Sequence, residues 1–241
     1  MACKLCLASA PLRESHIFPE FLYRISYDAT HTLEVHTVAD GEAFTIIQKG
    51  LREPLLCADC EQKVGRWERH ASQVLFHDGA GTWSQVGDEL QRSGVDYRKF
   101  KLFALSLIWR ASVSTQRPFA DVALGPLEEK VRLLLLNEDP GPHYLYPCFL
   151  RVFVEEPVMA QMTIITPYRQ KVASHRGYKA LFGGILWTWV MSGHAGPINT
   201  AVGIIKEDGV LPLLLSSHGQ EREFFAKIVS RLPPEFFDDE T

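Results

Sequence analysis

Apolar residues recur with a helical period in four stretches of the chain. In the first, Val64, Trp67, Ala71, Val74 and Leu75 fall on one face of a helix that starts at Asp59 and ends by Asp78-Gly79. Lys63, Arg66, Arg69 and His70 fall on its other faces, and Gly79 and Gly81 supply a stop and a linker. In the second, Phe100, Phe103, Ala104, Leu107, Ile108 and Ala111 share a face over Tyr97–Val113, and Pro118 ends the pattern. The third runs over Pro126–Leu136, with a proline suited to a first turn and Gly141-Pro142 beyond its end. The fourth, Glu221–Leu232, turns Phe224, Phe225, Ile228 and Val229 inward and precedes an acidic, solvated tail.

Between the helices the period shortens. Glu14–Pro19 reads as a short strand, followed by one or two helical turns in Glu20–Tyr27. His31–Val38 and Ala43–Gln48 read as a hairpin around Ala39-Asp40-Gly41-Glu42. Residues 82–97 are polar and weakly patterned. Phe149–Val154, Met162–Thr166, Leu181–Val190, Ala201–Ile205 and Val210–Leu215 read as strands, with a hairpin turn at Asp208-Gly209. The order predicts an α+β fold: an N-terminal metal module over 1–78, then a helical and mixed β-sheet region over 79–241 whose role the sequence leaves open.

One run tests for a membrane span. Ala180–Ile205 holds no Lys, Arg, Asp or Glu, but Gly183, Gly184, Gly193, Gly196 and Pro197 interrupt it, which favours a buried hairpin. Composition adds limits. The chain has 241 residues, 46% of them hydrophobic, and a formal net charge of -4, so any nucleic-acid contact must come from a local patch. Met1-Ala2-Cys3-Lys4 leads into a cysteine pair and not an apolar signal segment, which points to the cytoplasm.

The cysteines carry the strongest chemistry. Cys3-Lys4-Leu5-Cys6 and Cys57-Ala58-Asp59-Cys60 are two C-x-x-C knuckles, the spacing of a four-thiolate zinc site. Nothing around either pair resembles a redox dithiol, and Cys148, alone in an apolar stretch, reads as a buried core thiol. The predicted hairpin fills the long gap between the knuckles, and the second knuckle runs into a helix. Knuckle, hairpin, knuckle, helix is the layout of a treble clef.

The residues around the knuckles add a resemblance. After Cys3 and Cys6 come His16, Ile17 and Pro19, then Leu55 and Leu56 before Cys57, with Cys60 and Lys63 on the helix. Over roughly the first 75 residues this resembles the zinc-containing HNH endonucleases of the ββα-metal group. The resemblance implies that His16 is a general base activating water against phosphorus, beside a divalent cation. Ser15 stands where that family has a metal-binding Asp or His. Glu61 stands where it has His or Asn, and is a hard oxygen ligand for Mg²⁺ or Mn²⁺. Arg52 stands near the family's middle Asn, and Glu14 or Glu53 is available to replace the missing acid. Lys63, Arg66 and Arg69 on the helix, with Arg13, Arg24 and Arg52 nearby in sequence, are candidate phosphate contacts, although acidic residues outnumber basic ones over 1–77.

The resulting expectation is metal-dependent hydrolysis of phosphodiester bonds in DNA or RNA. It assigns His16, Glu61 and Glu14 to catalysis, Cys3, Cys6, Cys57 and Cys60 to structural zinc, and Lys63, Arg66 and Arg69 to nucleic acid. An inactive treble-clef adaptor for protein or nucleic acid, or a ligand sensor, are the alternatives. Residues 79–241 are then left for recognition, a regulatory ligand or homo-oligomer contacts, with no membrane partner. His31, His36, His70 and His77 read mostly as surface residues, Arg110 as a buried ion-pair partner, and Trp187 and Trp189 as core. No phosphate-loop or nucleophile-elbow motif is present.

Overall fold

The computed structural model describes residues 1–28, 30, 32–37, 44–48, 50–77, 82–155, 161, 163–172, 174–193 and 203–217. His31, the Ala39–Glu42 turn and the predicted helix Glu221–Leu232 lie outside the described residues. In chain order the elements are β1 (Leu12–His16), β2 (Thr32–His36), β3 (Phe44–Gln48), β4 (Arg52–Cys57), α1 (Ala58–Phe76), β5 (Ser84–Val86), β6 (Glu89–Arg92), α2 (Tyr97–Val113), α3 (Pro126–Leu136), β7 (Cys148–Phe153), β8 (Ile164–Val172), β9 (His175–Phe182), β10 (Ile185–Val190) and β11 (Leu211–Ser216). Short 3-10 turns occupy Glu20–Leu22, Arg24–Ser26 and Arg117–Phe119. The fold is mixed α+β, as the pattern predicts.

The strands form two sheets. β1 and β4 make an antiparallel two-stranded ribbon. The other nine join one sheet in the order β3-β2-β8-β9-β10-β7-β11-β6-β5, parallel at β2–β8 and β7–β11 and antiparallel elsewhere. The β2–β3 hairpin therefore forms as expected, but it extends the same sheet that residues 84–216 build. α2 packs against α1 and α3 and meets the sheet on another side, where Trp189 Nε1 donates to the Ala104 carbonyl at 2.9 Å. Every residue from Phe100 to Ala111 is buried, Lys101, Ser106 and Arg110 included. A helix buried all round is the centre of the core rather than an amphipathic lid. Trp187 and Trp189 share one face of β10, stacked at 6.0 Å and fully buried.

Several strands differ from the pattern for identifiable reasons. Leu181–Val190 is two strands, because Gly183 and Gly184 both take positive φ (65° and 70°) in a two-residue turn that pairs Ile185 with Phe182. β4 carries Pro54, which a two-stranded ribbon tolerates where a central strand would lose a ladder bond. β5 is exposed at all three positions and shows no apolar alternation to read. The turn at Asp208-Gly209 forms, but β11 pairs with β6 and β7, and Ile204 bridges to Phe149 instead. His36 is buried rather than on the surface, and His70 is half-buried, its Nε2 accepting from the Asp96 amide at 3.2 Å. Among the described residues no helix is long and apolar enough to cross a membrane.

Candidate functional site

The four thiols converge. The sulfurs of Cys3, Cys6, Cys57 and Cys60 all lie within 4.8 Å of one another. Two thiolates about 2.3 Å from one ion at the tetrahedral angle stand about 3.8 Å apart. Cys6 Sγ and Cys57 Sγ are 3.7 Å apart. The donor set and its spacing fit one metal ion such as zinc.

Local backbone chemistry builds this arrangement. The first knuckle closes with Leu7 N–H on the Cys3 carbonyl and Cys3 N–H on Ala8, both 2.9 Å, with Leu7 in the left-handed region at φ 63°. Lys4 N–H donates to the Leu55 carbonyl at 2.9 Å, which docks the knuckle onto β4. Cys57 ends β4 and caps α1 with an extended backbone, so Cys60 lies in the helix's first turn. The Cys57 N–H points at Cys3 Sγ, 3.3 Å away. Burial opposes ionisation of Cys3, but amides of Cys6, Cys57 and Leu5 outweigh it and lower the thiol to about 7. Burial and the neighbouring sulfurs push Cys60 up, the like-charge crowding that a divalent cation relieves. Cys148, by contrast, is alone on β7, its thiol raised by burial.

At the far end of the ribbon lies His16. Its Cα pairs with Arg52, and Ser15 pairs with Glu53. Among the described residues nothing hydrogen-bonds the buried His16 Nε2. Burial, and then the Arg52 charge, lower its pKa below the ordinary imidazole value, so the neutral form dominates near pH 7. The Tyr23 ring lies 6.5 Å away, and the Tyr23 hydroxyl is likewise buried without a partner. Ser15 is fully buried on the opposite side of the strand, its hydroxyl accepting from Leu56 N–H at 3.3 Å. That hydroxyl donates to the Arg13 carbonyl at 3.4 Å, and Glu61 lies nearby on α1. Its carboxyl is raised by burial, against the opposing pull of Ser15 and of the Arg110 charge.

The structure therefore places Ser15 and Glu61 on one side of β1 and His16 at the end of the strand, opposite Arg52. It separates others from them. Glu14 is exposed on β1. Glu53 is engaged elsewhere, accepting from Ser114 Oγ (2.6 Å), Thr115 Oγ1 (2.7 Å) and Thr115 N–H (3.0 Å) at the end of α2. Among the described residues the four cysteines are the only set of three or more His, Cys, Asp or Glu ligand atoms close enough to share one ion. His16, Glu61 and Glu14 do not form such a set.

The basic face of α1 also reads differently in three dimensions. Lys63 Nζ donates to the Leu136 carbonyl at 2.7 Å and lies 3.6 Å from Glu138. Arg66 holds both oxygens of Glu138, at 3.1 and 3.2 Å. Both residues tie α1 to the end of α3, and Arg69 is exposed.

Two further residues frame the site. Arg110, on α2 and only 1% exposed, is a buried ion-pair partner as its sequence context suggests: it pairs with Glu68 at 2.7 Å and also donates to the His16 carbonyl at 2.7 Å. Arg132, on α3, donates to the Leu5 carbonyl inside the first knuckle at 2.5 Å. A charged residue on an apolar helical face was the available signal, and Lys101, Arg110 and Arg132 all fit it.

The elements define a class of site: four thiols spaced for one metal ion, on a ribbon and a helix N-terminus, with a half-buried histidine at the ribbon's far end whose buried Nε2 has no partner among the described residues. Comparison of the chain with protein-family models, with curated proteins and with solved structures finds no match.

Proposed function

We propose that the chain is an HNH-like, metal-dependent nuclease that hydrolyses phosphodiester bonds in DNA or RNA. In this reading the four thiolates hold structural zinc in a treble clef, and His16 is the general base. The observation that carries the reading is His16 itself. It ends a strand whose partner strand delivers Cys57 and the helix with Glu61, and its buried Nε2 has no partner. An unsatisfied buried ring nitrogen is uncommon and calls for a ligand, a water or an ion.

The residues supply a coherent chemistry. His16, held neutral near pH 7, takes a proton from water through Nε2. The water oxygen bonds to phosphorus, the bond to the leaving oxygen breaks, and that oxygen takes a proton from solvent. Glu61 offers a hard oxygen for Mg²⁺ or Mn²⁺, which neutralises charge on the phosphate when bound. Such ions are held by one or two carboxylates together with waters and substrate phosphate, so a preformed three-ligand cage is not required.

A second reading has its own observation. The Ser15 hydroxyl accepts from Leu56 N–H and donates to the Arg13 carbonyl, where a metal-binding acid is expected by resemblance. A zinc adaptor that kept the frame without cleavage fits that detail. Purified protein incubated with plasmid and with RNA, with Mg²⁺ or Mn²⁺, beside His16→Ala, separates the two. Cleavage that chelator abolishes and His16→Ala loses is expected. Cleavage of neither substrate by metal-restored protein would favour the adaptor, and unchanged cutting by His16→Ala would remove the assigned base.

A further inference from the structure

We infer that the thiolate site is also a peroxide-sensitive switch: Cys6 is the thiolate that an oxidant reaches, Cys57 is its resolving partner, and the disulfide between them releases the metal. The inference rests on the four-thiolate site and not on hydrolysis. The four thiols are unequal. Cys3 is 0%, Cys60 4% and Cys57 8% exposed, whereas Cys6 is only half-buried. The difference has a structural cause. An open cleft of about 540 Å³ lies against the site, walled by Ala8, Pro11 and Leu136. Cys6, Cys57 and Cys60 border it, and Cys3 does not. A small hydroperoxide is not much larger than a water, whose share of liquid volume is about 30 Å³, so the cleft admits it freely.

A thiol that coordinates a metal is held deprotonated, and the thiolate is the form of cysteine that attacks peroxide. The Cys6 sulfur takes one peroxide oxygen, the O–O bond breaks, and the other oxygen leaves as hydroxide, which gives a sulfenic acid on Cys6. The Cys57 thiolate then attacks that sulfur. An S–S bond forms, the S–O bond breaks, and a second hydroxide leaves; solvent protonates both to water. Two thiolates thus supply the two electrons that reduce the peroxide. Geometry favours this pair. Cys6 Sγ and Cys57 Sγ are 3.7 Å apart. A disulfide needs about 2.05 Å, so the sulfurs close by less than about 2 Å. Cys57 is fixed where β4 runs into α1. Cys6 follows a stretch that stays docked without the metal, through Lys4 N–H on the Leu55 carbonyl and Arg132 on the Leu5 carbonyl. It is therefore kept beside Cys57 while it reacts. Cys3 and Cys60 remain, two thiolates where a structural site takes four, and two do not retain the ion. Cys148 stands apart on β7 and takes no part.

The test uses the full wild-type chain loaded with zinc, with hydrogen peroxide as the oxidant. Released zinc is read with a chromogenic chelator, free thiols by titration, and the linked pair by peptide mapping without reduction. Each chain should lose one zinc ion and two of its five thiols in step, with Cys6 joined to Cys57. A dithiol reductant and added zinc should restore both. Before oxidation, brief alkylation of the zinc-loaded chain should mark Cys6 ahead of Cys3, Cys57 and Cys60. Cys148→Ser should lose zinc at the wild-type rate. A chain that binds no zinc, zinc retained in excess peroxide, a linkage other than Cys6 to Cys57, or alkylation that marks Cys3, Cys57 or Cys60 before Cys6 overturns the inference. None of these measurements involves nucleic acid, so the switch and the nuclease reading stand or fall separately.

Discussion

Replacing Arg110 by methionine removes the charge that ties α2 to the His16 carbonyl. Arg110 is 1% exposed, and the Glu68 side chain opposite it is 23% exposed. Deleting one partner of a buried pair leaves the other charge uncompensated, at about 3–5 kcal/mol when both are fully buried. Glu68 keeps partial access to water, which places the loss toward the lower end. The His16 carbonyl also loses a charged donor at 2.7 Å. Bonds of that kind contribute about 1.5–3 kcal/mol, but this one shares its guanidinium with the ion pair, so the two losses are not additive. A combined destabilisation of about 3 kcal/mol is expected, or roughly 6–12 °C in Tm for a chain of this size. Thermal and denaturant unfolding of Arg110→Met, Glu68→Gln and the double variant measure it, with a coupling of about 1–3 kcal/mol expected between the two. A loss below about 1 kcal/mol in Arg110→Met, with no coupling to Glu68, would show that the pair does not hold β1 against the helices. Under the proposed nuclease function, the folded fraction of the variant should also cut more slowly, because His16 loses its anchor.

Three further outcomes follow from other parts of the structure. Stripping metal with a chelator, or Cys57→Ser, should lower Tm sharply, since structural zinc contributes about 10–16 kcal/mol of apparent binding free energy in small fingers; metal analysis showing none bound, with Tm indifferent to chelator, would refute the thiolate site. Burial lowers the Lys101 ammonium to about 7, so between there and the ordinary lysine range the unfolded chain holds a proton that the native chain has released. Stability should therefore rise with pH over that window, by at most about 1.4 kcal/mol per unit, and Lys101→Met should flatten the rise; a profile identical in both proteins would contradict it. Gly50→Ala should destabilise, because Gly50 has φ +73° and an added Cβ would stand 1.8 Å from the Tyr23 hydroxyl oxygen. The backbone alone contributes about 1–3 kcal/mol to that loss, and an unchanged denaturation midpoint would mean that the chain relaxes there without strain.

What the sequence reveals and what it hides divide along a physical line. Tyr97–Val113 and Pro126–Leu136 are legible to the residue because helix period, a start signal and a proline or glycine stop all agree locally. The four thiols are legible because metal geometry constrains spacing within each knuckle. β4 and the β5–β6 hairpin are not, since one carries a proline in a two-stranded ribbon and the other is largely solvated. The fate of Lys63 and Arg66 was hidden for another reason. Their partners Leu136 and Glu138 lie more than 70 residues away, and nothing local distinguishes a solvated basic face from one pinned to a distant helix end. The same holds for Arg110 and His16, which are 94 residues apart.

These long-range bonds bear on what the second part of the chain does for the first. The change of pattern near residue 78 is a change of local period, and packing runs across it. His16 is held through its carbonyl by Arg110, Glu53 by Ser114 and Thr115, Arg52 by Gln116, the first knuckle by Arg132, and Lys63 by the last turn of α3. In each case the partner is a polar group that would otherwise need water or another donor. A metal knuckle alone fixes the positions of four sulfurs, but it does not fix the far end of the ribbon, where His16 and Arg52 face each other. That end is fixed by α2 and the turn after it. The position of His16 thus depends on α2, which also bonds to the sheet through the Ala104 carbonyl. Any ligand or partner that shifts α2 against the sheet would act on His16 directly, through one guanidinium.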